Sequence, residues 1–255
     1  MDASALAFVD STLVAFIVIG FFAQLIDGTL GMAYGVASTT ALTFLGLPPA
    51  AASANVHVAE VFTSAASGVS HALARNVDWS LFLRLALSGS VGAMLGAFLI
   101  SFIHLDAARP LIAVYLFAMG AVVISKAFAP PKPPAAPGKV RLLGFIGGFA
   151  DASGGGGWGP IVVSNLIARG AAPAKVIGTV NLAEFAVTVS ASLAFLAALG
   201  PSFGKAALGL LIGGVAAAPI AAWAVKRAPR KILMALVGAL ICVISAINFL
   251  SAVMK

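Results

Sequence analysis

The chain has 255 residues, 61% of them hydrophobic and only 9% charged, with a formal net charge of +7. Water-soluble domains carry about 25% charged residues, so this composition excludes a soluble fold and points to an all-α polytopic membrane protein. The single cysteine, Cys242, excludes an internal disulfide, a Cys-x-x-Cys redox pair and a cysteine-built metal centre.

The positive balance does not signal nucleic acid. Lys and Arg fall in short loops, as the positive-inside rule expects of a membrane protein. The opening Met-Asp-Ala-Ser lacks a basic n-region, so no cleaved signal peptide is expected.

In chain order, apolar segments run over about 5–26, 32–47, 51–74, 80–104 and 108–128. These form a first repeat, residues 1–128: a hairpin over about 11–47, then full spans over about 51–74, 80–104 and 108–128. A Pro/Lys-rich cytoplasmic linker follows over 129–139, where the prolines block helix and leave a semi-rigid spacer. The second repeat, 140–255, has a hairpin over about 140–169 and spans over about 174–199, 204–225 and 229–252.

The halves match directly. A shift of 124 residues places Asp27 on Asp151, Gly31 on Gly155, Gly35 on Gly159, Pro49 on Pro173 and Glu60 on Glu184. Tyr34 then meets Trp158, and Thr29 meets Ser153. Three full crossings per half is an odd number, so the halves are expected to be inverted. Placing the linker in the cytoplasm puts twelve basic residues inside and leaves Arg109, Lys205 and Lys255 outside, with both termini periplasmic.

Four consecutive glycines, Gly154–Gly157, cannot hold a helix, because each costs roughly 1 kcal/mol there relative to Ala. One helix is expected to stop near Asp151 and another to start near Trp158. The helices on either side have about 12–14 residues and at ~1.5 Å per residue fall short of the ~30 Å hydrocarbon core. Each pair is read as a re-entrant hairpin with its tip near mid-depth, although the loop charges fit two thin crossings equally well. Broken helices at membrane depth are tolerated where they line a cavity, and matched breaks in two halves point to a transport site.

The third segment carries Ser53, His57, Glu60, Ser64, Ser67 and His71 on one helix face. Asn181, Glu184 and Thr188 match His57, Glu60 and Ser64 in the second half. Ionisable groups in a bilayer are expensive, so Glu60 and Glu184 are read as functional; the serines fit interhelical hydrogen bonding equally well. Amides freed at a glycine turn can cradle an anion. The expected substrate-binding set is therefore Ser153, Gly154, Gly155, Gly156, Gly157, Trp158, Thr29, Gly31, Tyr34, His57 and Asn181. Close helix packing is the other use of such glycines. Asp27 and Asp151 are read first as caps for backbone N–H groups and second, with Glu60 and Glu184, as proton-coupling or gating groups. Carboxylates beside an anion repel it unless neutralised, so a proton on Glu60 or Glu184 is expected either to travel with the anion or, by its loss, to drive release. Arg109 and Arg169 are read as interfacial anchors. No cofactor or metal site is read, and Gly92-x-x-x-Gly96 marks helix contacts within one chain or between two.

The paired breaks, the Gly-x-x-Pro turns (Gly46 to Pro49, Gly170 to Pro173) and the His/Asn-x-x-Glu helices together resemble the TauE/SafE sulfite exporter family, also called the 4-toluene sulfonate uptake permeases. The resemblance covers about residues 15–250. It implies a bacterial inner-membrane carrier of a small sulfur-containing anion such as sulfite or an organosulfonate. Alternating access, with H⁺ as coupling ion, is the expected mechanism; a channel, a carrier of another small organic anion such as a carboxylate, or an accessory membrane protein are the alternatives. No Gly-x-Ser-x-Gly elbow or His-Glu-x-x-His motif is present, so an enzyme is not expected.

Overall fold

Long runs of Leu, Val, Ala and Phe leave the backbone few ways to satisfy its polar groups away from water, and the α-helix is the local one. The computed structural model describes residues 11–30, 32–73, 75–103, 105–129, 139–169, 173–201, 204–224 and 230–254, and every regular element among them is helical. In chain order these are α1 (Ser11–Leu30), α2 (Tyr34–Phe44), α3 (Pro49–Leu73), α4 (Trp79–Phe102), α5 (Leu105–Phe128) and α6 (Val140–Gly154). A π-helical turn, Gly159–Val163, then runs into α7 (Ser164–Ala168), followed by α8 (Pro173–Leu199), α9 (Lys205–Ala224) and α10 (Arg230–Val253). Most of the Pro-rich linker lies outside the described residues.

Four helices among the described residues are long and apolar enough to cross a membrane, within α4, α5, α8 and α10. Helix α3 is longer than most of them, at 25 residues, but carries the polar stripe. The helices flanking the first break differ in length, α2 having 11 residues. Helix α1 has 20 residues and continues through Asp27 to Leu30, so at ~1.5 Å per residue it reaches about 30 Å. Helix α6, with 15 residues, stays short of that length.

The helices pack in exchanged pairs. Helix α1 lies along α9, and α4 lies along α6; α3 lies along α8, and α5 along α10. Small residues set the closest approaches. A Cβ on Gly92 or Gly96 would meet the Phe145 or Phe149 carbonyl of α6 at 2.2 or 2.4 Å, and one on Gly213 would meet the Ile17 carbonyl at 1.9 Å. The Gly92–Gly96 pattern is therefore a contact within the chain.

Two helix starts are capped from across the structure, a feature the sequence did not reveal. Asn55 of α3 accepts the backbone N–H of Gly204 and Ala207 at the start of α9. Thr179 of α8 accepts the N–H of Asp78 at the start of α4, 2.8 Å away. An uncapped helix start leaves orphan N–H groups, costly where water cannot reach them.

Candidate functional site

The chain breaks where the glycines require it. Helix α6 runs past Asp151 to Gly154, three residues further than expected, and Gly155, Gly156 and Gly157 take φ values of 74°, 150° and 156°. Side-chain-bearing residues rarely adopt such angles. Everything from Gly154 to Pro160 is buried. The first break has the same outline with different residues. Ala33 turns the chain at φ 94°, and Tyr34 opens α2.

Each aspartate reaches forward over its own break. The Trp158 N–H donates to Asp151 Oδ1 at 2.9 Å, and the Tyr34 N–H donates to Asp27 Oδ1 at 3.3 Å. Both act as caps from seven residues upstream.

The two breaks touch. A Cβ on Gly35 would lie 2.8 Å from Gly156 Cα, and one on Gly156 would lie 2.2 Å from the Val36 nitrogen. Thr39 of α2 donates to the Gly155 carbonyl, and Tyr115 of α5 donates to the Gly156 carbonyl. Between the breaks lies a cavity of about 10 Å³, lined by Tyr34, Gly35 and Val36 on one side and Gly157, Trp158 and Pro160 on the other. Four carboxylates also line it: Asp27, Glu60, Asp151 and Glu184. A volume of that size holds about one water.

His57 completes the cluster. Its Nδ1–H donates to the Ser53 carbonyl at 2.8 Å, and its Nε2 faces Asp151 Oδ2 at 3.2 Å. Ser53 donates in turn to the Ala152 carbonyl of α6. The ligand-type atoms of His57, Glu60 and Asp151 lie within 4.8 Å of one another, all three residues buried. Glu60 Oε2 has no hydrogen-bond partner. The sequence named His57, Glu60 and Asp151 singly and not as a group, because Asp151 is distant in sequence from the other two.

Several of the other expected residues fall elsewhere. The Asn181 amide donates to Ser67 across the α3–α8 contact, 2.8 Å away, and Asn181 is not among the residues lining the cavity. Ser153 donates to the Phe149 carbonyl of its own helix. A Cβ on Gly154 would meet the Tyr115 ring, and one on Gly155 would meet Thr39. The amides expected to form an anion cradle are engaged here: Gly155 and Gly156 donate to the Asp151 carbonyl, and Trp158 to its side chain. Gly31 and the Thr29 side chain lie outside the described residues. Trp158 is fully buried and donates through Nε1 to the Val180 carbonyl.

A second cavity, of about 180 Å³, is lined by Arg109 together with Thr43, Asn248 and Ser251. The sequence marked Arg109 only as an anchor at a segment end, since nothing local brings α2 and α10 to it.

A family model described as Sulfite exporter TauE/SafE matches residues 16–248. The chain is 46% identical over 244 residues to the probable membrane transporter protein YtnM of Bacillus subtilis (strain 168), a match covering 92% of this chain and 81% of that protein. No solved structure matches the chain.

Proposed function

The chain belongs to the Sulfite exporter TauE/SafE family, and on that basis we propose that it is a secondary transporter of a small sulfur-containing anion, sulfite or an organosulfonate, across the bacterial inner membrane. Membrane transport is common ground between the family and its relative, and neither description names an enzyme. The finer reading rests on one observation: two helix breaks, distant in sequence, meet at a buried cavity that both of them line. Such a junction near mid-depth is where alternating access places its substrate.

The cavity of about 10 Å³ is smaller than any sulfur oxyanion. Substrate entry in this reading therefore parts the two breaks, and their contact at Gly35 and Gly156 is the gate. The larger Arg109 cavity supports an anionic substrate, because it offers a fixed positive charge and neutral hydrogen-bonding groups in a space that admits a small oxyanion.

The reading takes residues 1–128 and 140–255 as inverted repeats with both termini periplasmic. The exchanged pairing of α1 with α9 and α6 with α4 supports it, as do the two cross-structure caps. An inside-negative potential favours anion exit by about 2.3 kcal/mol per charge per 100 mV. Export then runs unaided, whereas uptake requires a cation to accompany the anion, H⁺ being the first candidate.

The test is counterflow in proteoliposomes. Vesicles loaded with unlabelled sulfite should transiently concentrate ³⁵S-sulfite, and the flux should saturate. A protonophore should abolish concentrative uptake if H⁺ is the coupling ion. Absence of counterflow with sulfite, taurine and other sulfonates alike would reject the substrate class; a non-saturating flux would identify a channel.

A further inference from the structure

The central cavity is built from negative groups, yet the proposed cargo is an anion. Asp27, Glu60, Asp151 and Glu184 all line it, and no Lys or Arg does. Approach of an anion needs that charge offset, by protons or by a bound cation, and the geometry favours a cation at one point.

His57 shows where. Its Nδ1 lies against the Ser53 carbonyl, a contact that only an N–H can make, so Nδ1 carries a hydrogen. In the neutral ring Nε2 then presents a lone pair, and at 3.2 Å it faces Asp151 Oδ2, a second lone-pair atom. Two acceptors at that distance repel unless a proton or a metal cation lies between them. A proton there would satisfy that contact alone and would leave Glu60 Oε2 without a partner. Glu60 Oε2 is an independent observation: it belongs to a residue only 4% exposed, lines the cavity and has no partner. A buried carboxylate oxygen left bare is expensive, and coordination of an ion is one of the ways such groups are satisfied.

We propose that His57, Glu60 and Asp151 hold a divalent metal cation. One imidazole nitrogen with two carboxylates is a donor set suited to ions such as Mn²⁺ or Zn²⁺, whereas Na⁺ rarely takes an imidazole ligand. Two carboxylates also balance a double positive charge. Asp151 serves this site through Oδ2 while Oδ1 remains on the Trp158 N–H. Glu60 and Asp151 also line the cavity of about 10 Å³ beside the site, which is too small for the anion itself, whereas His57 stands outside that lining.

The site is built once. The corresponding set from the other half is Asn181, Glu184 and Asp27, in which Asn181 replaces the imidazole and is held by Ser67. Because Asp151 comes from the second break and His57 and Glu60 from α3, the ion ties the two halves together. It also supplies the positive charge that lets an anion approach the break. That role rests on the proposed transport reading; the binding itself does not.

The test uses the purified full-length protein in detergent, stripped with EDTA and titrated with MnCl₂. Calorimetry should report one saturable Mn²⁺ per chain, reversed by EDTA. Pulsed EPR should show nitrogen coupling to the bound Mn²⁺, lost in His57→Gln. Glu60→Gln, which removes charge with little change of shape, should weaken binding by more than the about 10–100-fold typical of losing an outer partner, with thermal unfolding used to check the fold. If that variant does not fold, loss of the nitrogen signal in His57→Gln carries the test alone. No saturable Mn²⁺ or Zn²⁺ binding to the wild type would overturn the proposal. Unchanged binding in a folded Glu60→Gln, or stabilisation by NaCl without any response to divalent ions, would overturn it equally. Sulfite counterflow that persists in EDTA would remove the ion's role while leaving transport intact; Mn²⁺ binding without any anion flux would do the reverse.

Discussion

The two helix breaks make the same turn with different means. The second spends three consecutive glycines on it, Gly155 to Gly157, each at a positive φ. The first turns on Ala33, a residue with a Cβ held at φ 94°. The aspartate caps differ as well. Asp151 is buried, holds the Trp158 N–H at 2.9 Å and contacts His57, whereas Asp27 is only half-buried and holds the Tyr34 N–H at 3.3 Å. The comparison teaches that both turns are buried, but the second is held by a shorter bond and glycine backbone, while the first is held by a longer bond and a less favourable backbone.

The largest expected effect is at the point where the breaks touch. Gly156→Ala places a Cβ 2.2 Å from a backbone nitrogen at a φ of 150°, and neither chain can yield without moving its helix. A loss of about 4 kcal/mol or more is expected, seen as collapse of thermal stability in detergent or failure to accumulate in the membrane. A stable Gly156→Ala protein would break the picture of two breaks in backbone contact. Gly35→Ala probes the same contact from the first break and should also destabilise, but less, because its nearest atom lies at 2.8 Å.

Next come the caps. Asp151→Ala removes a buried acceptor and leaves the Trp158 N–H unpaired, so a cost of about 3 kcal/mol is expected. Asp27→Ala should cost about 1 kcal/mol, the usual value of a helix cap. Equal losses in unfolding experiments would show the breaks to be equivalent and remove the distinction drawn above.

Smaller again are Asn55→Ala, which uncaps α9, and Thr179→Ala, which leaves the Asp78 N–H unpaired while the Asp78 side chain still caps α4. Each should cost about 1 kcal/mol, and the two should be additive because they lie on different helices. Finally, Ala33→Gly should stabilise the first break by less than about 1 kcal/mol, the relief at positive φ being partly offset by glycine's greater freedom in the unfolded chain. A destabilising Ala33→Gly would mean that the Ala33 methyl contributes packing worth more than its strain.

Much of this was legible beforehand because its causes are local. The glycine run had to break α6, because glycine's freedom acts at the position where it is written. Capping by the two aspartates followed from their place before a helix start. Other features had no local cause. Ser53, Glu60 and Asn181 each sit on a helix face with several possible partners, and the pattern does not say which one they meet. Asn181 was expected at the substrate and is instead joined to Ser67. The amides of the glycine run were expected to be free for an anion, but the carbonyl and side chain of Asp151 take those of Gly155, Gly156 and Trp158.

By itself, then, the order of residues determined that this chain is helical and belongs in a membrane, and that the glycine run must interrupt it. Hydrophobicity, glycine's freedom and proline's missing N–H act within a few residues of where they are written. Tertiary structure alone decided that His57 and Glu60 meet Asp151, and that four carboxylates share one small space. Those encounters depend on how α3, α6 and α8 lie against one another, and contacts across some ninety residues are set by the packing of whole helices rather than by any segment's own preference.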